Sequence, residues 1–234
     1  MVSTAPAASS SPCLDRPPRP TRPTLPPRRT PRPTPPTFLT STWTHSAYDR
    51  CPGKRTSCSP IPHDRRALGG LNHLRAPIDE LAQLPLNPRW VLVVENKEAA
   101  LSLDDTIGLV VIHSLGNHTE ALRHIPWIPR DDSLYWGDID RHGYTLLSRA
   151  RSAVPGLTSV LMSREDVAKF RHLAVTENLT RYDAADPNLR PTEQRALDAL
   201  TERGQYLRIE QERIPVDVAM GTIDAAMNNE IPTA

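Results

Sequence analysis

Two segments of this chain are apolar at every position rather than at every second one: Trp90-Val91-Leu92-Val93-Val94 and Leu109-Val110-Val111-Ile112, the latter preceded by Gly108 and followed by His113. A strand that alternates has one wet face, whereas a strand that is apolar throughout is covered on both, as in a parallel sheet flanked by helices. Leu134-Tyr135-Trp136 and Ser159-Val160-Leu161-Met162 read as a third and a fourth strand of the same kind. Between them lie segments of helical pattern: Pro77–Leu84, Lys97–Leu103, Thr119–Ile125 and Tyr144–Val154. Ser163-Arg164-Glu165-Asp166 has the form of a capping box that opens a helix to about Arg171. Thr192–Arg203 is expected to be a helix capped by Thr192 and stopped by Gly204, and Tyr206–Ile209 a last strand. Strand and helix alternate, so the expected fold class is α/β, a mostly parallel sheet with helices on both faces.

The first 66 residues follow neither pattern. They hold 15 of the 25 prolines, including the run Arg16-Pro17-Pro18-Arg19-Pro20-Thr21-Arg22-Pro23, and no apolar periodicity that could be buried. Each proline removes a backbone donor and fixes φ, so neither helix nor sheet propagates, and a disordered Pro/Arg-rich segment is expected over 1–66. A basic arm for nucleic acid, an SH3-type ligand or a mis-started reading frame would carry the same composition. The domain is then expected over 67–215, with a weakly ordered tail over 216–234.

Charge changes the picture once it is divided in the same place. The whole chain is near neutral at +1, but residues 1–66 carry 11 Lys and Arg against 3 Asp and Glu, and residues 67–234 carry 17 against 24. A basic segment precedes an acidic domain. Cys13, Cys51 and Cys58 all fall in the segment, an odd number outside the expected core, which argues against a disulfide scaffold and suits a reducing cytoplasm. With His45 and His63 they match no familiar zinc spacing. No apolar run reaches the ~18 residues of a membrane span, and no signal-peptide core opens the chain, so a cytoplasmic protein with no membrane partner is expected.

The candidate chemistry sits where strands end. Val91–Val94 runs into Glu95-Asn96, and Leu134–Trp136 runs into Gly137-Asp138-Ile139-Asp140-Arg141-His142-Gly143. Ligands of open α/β sheets bind beyond the carboxyl ends of the strands, which places Glu95, Asp138 and Asp140 on the functional edge. Period-two alternation puts Asp138 and Asp140 on one side and Ile139 on the other. Two carboxylates so close repel, and a hard divalent cation such as Mg²⁺ relieves that repulsion. A solvated loop with helix caps fits the same spacing. Gly137 and Gly143 leave room for the backbone to turn and approach a ligand.

Val94-Glu95-Asn96, Tyr135-Trp136-Gly137-Asp138-Ile139-Asp140-Arg141-His142-Gly143, Leu161-Met162 and Leu207-Arg208-Ile209-Glu210-Gln211-Glu212-Arg213-Ile214 occur in the order seen in the C-terminal domain of JetD. JetD is the nuclease subunit of Wadjet anti-plasmid systems, and that domain is similar to the Rossmann-like Toprim module of topoisomerase VI. The resemblance spans roughly residues 85–215. It implies a Toprim-like fold, Mg²⁺ or Mn²⁺ as cofactor, and Glu95, Asp138 and Asp140 as metal ligands. It further implies cleavage of closed circular plasmid DNA captured by an SMC-like motor complex, with a homodimer as a possible assembly. Glu210 and Glu212, two apart, would share a face if extended and are candidates for further metal ligation, or else a charged edge strand. His142 is a candidate proton shuttle or phosphate contact, or else a helix-cap residue.

Where the family commonly has a Gly-rich turn after the second strand, this chain has His113-Ser114-Leu115-Gly116-Asn117-His118. No winged-helix module with a nucleophilic tyrosine is recognisable, which favours hydrolysis over covalent strand transfer. Two function classes follow: a metal-dependent DNA endonuclease, or a catalytically incompetent module that docks on a partner complex. A mis-started gene product without activity is the third alternative.

Overall fold

The structure, a computed structural model, describes residues 55–59, 68–177, 186–202 and 205–228, all within the unit Ala47–Ala234. The two fully apolar segments form its centre. β3 (Trp90–Val94) and β4 (Leu109–His113) are buried at every residue and pair in parallel, Trp90 opposite Leu109 through Val94 opposite His113. On the other side of β3 lies β5 (Ser133–Trp136), also parallel, with Val91 opposite Ser133 and Val94 opposite Trp136. β6 (Thr158–Ser159) completes the parallel part. Before them in the chain come β1 (Arg55–Ser59) and β2 (Leu74–Pro77), and the sheet order is β2-β1-β4-β3-β5-β6. The chain leaves β3 to add β4 on one side and then returns to add β5 on the other, so the strand order reverses at β3. Such a reversal opens a crevice at the carboxyl ends of the two strands it separates.

The helices follow the expected pattern with shifts that have local causes. α1 (Ile78–Ala82) and α2 (Lys97–Ser102) fall where the periodicity puts them. Residues Thr119–His124 form a 3-10 helix rather than an α-helix, packed against α3 (Arg141–Ala153). α3 starts three residues earlier than expected because Asp140 caps it, its Oδ1 accepting the Gly143 N–H at 2.7 Å. α4 (Arg164–Phe170) opens on the predicted capping box of Ser163 and Asp166. The strand expected over Ser159–Met162 stops at Ser159. Val160 still donates to the Tyr135 carbonyl at 2.9 Å, but Leu161 turns into the left-handed region at φ 58° and ends the ladder.

The chain beyond residue 174 departs further from expectation. α5 (Pro191–Ala199) begins at Pro191 rather than at a Thr192 cap and ends well before Arg203. Thr201–Glu202 (β8) instead pairs with β9 (Gln205–Arg208), and β9 pairs with β7 (Val175–Glu177), making a second, antiparallel sheet. A hairpin whose ladder satisfies backbone groups prevails here over helix continuation. A buried ion pair ties this region to the rest: both Arg151 terminal nitrogens donate to Glu193 at 2.6 Å, and Ser159 Oγ donates to the same carboxylate at 2.5 Å. Although burial alone would raise it, those hydrogen bonds hold the Glu193 carboxyl below its usual range.

Two boundary expectations are corrected. The segment 1–66 was expected to lack structure, yet β1 lies inside it, antiparallel to both β2 and β4. The remainder of 1–66 other than 55–59 lies outside the described residues. Cys58 is therefore a core residue, fully buried with its thiol pushed up to about 12, where the sequence placed every cysteine outside the fold. Arg55-Thr56-Ser57-Cys58-Ser59 is mostly polar, and only its partners reveal it as a strand. The tail expected over 216–234 is likewise helical over most of its described length. In α6 (Val216–Met227), Ala219, Ile223 and Met227, spaced four apart, are buried on one stripe; residues 229–234 lie outside the described residues.

Because β1 is hydrogen-bonded on both edges, removing it strips β4 of a neighbour. A chain that begins at Ala67 is expected to unfold at a clearly lower urea concentration than one that begins at Lys54, and the two midpoints measured side by side check this. Equal midpoints would mean that β1 contributes nothing to the fold.

Candidate active site

The parallel register brings the ends of β3 and β5 level. Glu95 N–H continues the ladder by donating to the Trp136 carbonyl at 3.1 Å, so the residues just past each strand, Glu95-Asn96 and Gly137-Asp138, meet side by side in the crevice. Glu95 Oε2 accepts the Asp138 N–H at 3.2 Å. Two glycines make the approach possible. A Cβ on Gly137 would lie 3.1 Å from Glu95 Oε2 and 2.8 Å from the Tyr135 ring, and one on Gly143 would lie 2.1 Å from the Asp138 carbonyl oxygen. The second distance admits no side chain, so the first turn of α3 reaches Asp138 only through glycine.

A residue that the sequence had placed only inside a longer motif holds this arrangement together. Gln211, fully buried in the 3-10 turn Gln211–Arg213, accepts the Asn96 N–H on its Oε1 at 2.7 Å and donates from Nε2 to the Trp136 carbonyl at 2.9 Å. Its own backbone N–H donates to Asp138 Oδ1 at 2.9 Å. One side chain thus binds the ends of both strands while its backbone orients the aspartate. The turn reaches this position because Ile139 and Ile209 exchange two backbone hydrogen bonds, of 2.9 and 3.1 Å, which join β9 to the segment after β5. Gln211 carries no charge and no familiar motif, and only its burial between two strand ends marks it.

The electrostatics follow from burial of like charges. The Glu95 carboxyl is pushed up to about 8, first by burial and next by the neighbouring Asp138 charge. Asp138 is pushed up to about 6 by burial, with Asp140 and Glu212 adding to the rise and the Gln211 N–H opposing it. Asp140 is buried and spends Oδ1 on the helix cap, so it is both a neighbour of the cluster and a structural group. Arg208 on β9 faces all three acids and lowers the shifts of Glu95 and Asp138. Glu177, at the end of β7, adds a further carboxyl that the sequence reading did not single out. Its Oε2 is buried without a hydrogen-bond partner among the described residues, and burial followed by Asp140 raises its pKa.

The other candidates are dispersed. Residues 211–213 are a 3-10 turn and not an extended strand, so Glu210 and Glu212 do not share a face. Glu210 pairs with Arg208 and, at 2.8 Å, with Arg213, and those partners hold its carboxyl below the usual range. Glu212 Oε2 accepts from Asn96 Nδ2 at 2.9 Å, beside Asp138. His142 is exposed in the first turn of α3. The donor chemistry of Glu95 and Asp138 suits a hard cation, since both are oxygen ligands whose mutual repulsion a cation would offset. Among the described residues, however, no group of three or more His, Cys, Asp or Glu side chains is arranged to hold one ion.

The family model described as "Wadjet protein JetD, C-terminal" matches residues 54–223. The chain belongs to the JetD C-terminal family. The match opens one residue before β1 and closes inside α6, so it takes in β1 whole and the first part of α6, both of which the sequence reading had left outside the domain. No curated protein was found to match the chain. Membership ties the chain to Wadjet systems, and among the described residues no helix is long and apolar enough to cross a membrane.

Two expectations test the site in this JetD-family domain. The folded pKa of Glu95 lies above its unfolded value of about 4.5, so the metal-free fold binds that proton more tightly than the unfolded chain. The stability this contributes is full below pH 4.5 and is lost as pH rises through about 8. Glu95→Gln should therefore flatten this loss and melt higher than wild type at pH 8 without metal, by roughly 2–4 kcal/mol; urea titrations at pH 5 and pH 8 check it. Gln211→Ala leaves the Asn96 N–H and Trp136 carbonyl without their partner and should cost about 2–4 kcal/mol, read from the same titration.

Proposed function

We propose that this domain is a metal-dependent DNA endonuclease acting in a Wadjet-type plasmid or phage defence system. The observation that supports the reading best is the pairing of Glu95 and Asp138 at the strand reversal, Glu95 raised by burial and by the Asp138 charge and Asp138 raised by burial and by Asp140. Buried acids held against their own repulsion at a functional edge are a costly arrangement for a purely structural role. Mg²⁺ or Mn²⁺ would be held by Glu95 and Asp138, with Asp140 beside them. When bound, the cation supplies polarisation of the scissile phosphate and activation of water for phosphodiester hydrolysis.

The chain's own residues set the rest. Gln211 and Gly143 fix where Asp138 stands, and Arg208 keeps the cluster from carrying its full negative charge. His142, exposed at the start of α3, would contact phosphate or carry a proton. Glu212, held by Asn96 next to Asp138, is the better placed of the two later glutamates to serve as a further ligand, since Glu210 is committed to Arg208 and Arg213. Residues 67–234 carry more acids than bases, 24 against 17, so phosphate binding by this domain alone is weak. Closed circular plasmid would be delivered by an SMC-like motor complex, and a second copy of the chain would supply a second cutting centre for a double-strand break.

One observation favours the docking-module reading instead: three ligating side chains do not converge in the described residues. The experiment that separates the two is plasmid linearisation by the full chain assembled with its partner subunits, in Mg²⁺ or Mn²⁺. Asp138→Asn is the informative variant, because Asp140 also caps a helix and its loss would confound folding with chemistry. Linearisation by wild type and a loss of at least about 100-fold in Asp138→Asn is the expected result. An Asp138→Asn assembly that cuts at the wild-type rate overturns the reading.

A further inference from the structure

The hydroxyl of Tyr135 has no role in the fold. Its ring is packed in the core with 1% of its surface exposed, yet its oxygen is a buried polar atom with no hydrogen-bond partner among the described residues. A buried hydroxyl left unpaired costs about 1–3 kcal/mol, and phenylalanine would fill the same space without that cost. The oxygen points into the carboxylate cluster. The position that a Cβ on Gly137 would take lies 3.1 Å from the Tyr135 oxygen and 3.1 Å from Glu95 Oε2, so the two oxygens can be no further apart than twice that distance. After burial, the charges of Glu95, Asp138 and Asp140, in that order, raise the phenol's pKa, so the group remains a proton donor.

Tyr135 and Glu95 also line a small pocket of about 10 Å³, together with Leu115, Gly116, Thr119 and Leu146. A single water needs roughly 10–15 Å³ and at least two polar partners. A phenol that can donate and a carboxylate that can accept supply two partners at a space of that size.

We propose that Tyr135 is a positioning residue for Glu95, its hydroxyl holding the carboxylate through one water seated in the cavity between them. This rests on the reading of Glu95 as a metal ligand. The Tyr135 hydroxyl sets the rotamer in which Glu95 faces the cation, in the way that outer hydrogen bonds orient metal-ligating carboxylates. Gly137 is part of the same device, because a Cβ there would crowd both the Tyr135 oxygen and the Glu95 oxygen.

The test is Mn²⁺ binding by the full chain, followed by titration calorimetry, together with metal-free thermal melting. Tyr135→Phe is expected to bind Mn²⁺ about ten-fold more weakly, while the metal-free protein melts at the wild-type temperature or above it. In a Glu95→Gln background the same substitution is expected to change Mn²⁺ affinity no further, since the carboxylate it positions is gone. Wild-type affinity in Tyr135→Phe, or an equal loss with and without Glu95, overturns the role of Tyr135 and leaves the metal reading standing. Absence of Mn²⁺ binding by wild type overturns both. A high-resolution crystal structure of the full chain gives an independent check: a water within hydrogen-bond distance of Tyr135 Oη and Glu95 supports the proposal, and a dry cavity overturns it.

Discussion

With Val94 opposite Trp136, the ladder between β3 and β5 ends on the bond from Glu95 N–H to the Trp136 carbonyl, and this is the last point at which the two strands run level. Everything the site does depends on that register. A slip of one strand by one residue would turn that strand's side chains to the opposite faces and carry Glu95 away from Asp138. Because both strands are buried, such a slip would also expose or misplace apolar groups along their whole length, so the core enforces the geometry of the acids. The candidate site is therefore held in place by core residues that do not line it.

Holding the acids together has its own energetic consequence. Burial and proximity push the carboxyls of Glu95 and Asp138 upward, and the surrounding structure offsets only part of that strain. The N–H of Asp138 reaches Glu95, the N–H of Gln211 reaches Asp138, and Arg208 adds a positive charge. Among the described residues Glu95, Asp138 and Asp140, with Glu212 and Glu177 beside them, meet the positive charge of Arg208 and a few amide dipoles, which leaves a net demand for positive charge at the crevice. Local stability is conceded at this edge of the sheet and recovered in the core beside it.

The second sheet is the structural device that completes the crevice. β7, β8 and β9 bury little apolar area of their own, yet the Ile139–Ile209 bridge fastens β9 to the segment that carries Asp138 and Asp140. Through it Arg208, Gln211, Glu212 and Glu177 all arrive at one end of the parallel sheet. Residues more than 70 positions apart in sequence are thus brought within hydrogen-bond distance, Gln211 to Asp138 and Gln211 to Trp136 among them.

The sequence by itself determined the central strands, the three acids at their ends and the resemblance to the JetD C-terminal family. Its reason is local: a strand buried on both faces must be apolar throughout, and the residue that follows it at a carboxyl edge is the one free to be charged. It did not determine β1, whose five residues are polar in pattern and become a strand only because β2 and β4 offer hydrogen bonds on both edges. Nor did it determine α5's early end or the helix over Val216–Met227, where ladder pairing and a stripe of small and apolar contacts decide. Tertiary structure alone separated Glu210 from Glu212 and brought Gln211, Glu177 and the Tyr135 hydroxyl to the candidate site. Those residues carry no pattern of their own, because a side chain's partner across a sheet is fixed by register and crossover, which no short stretch of sequence contains.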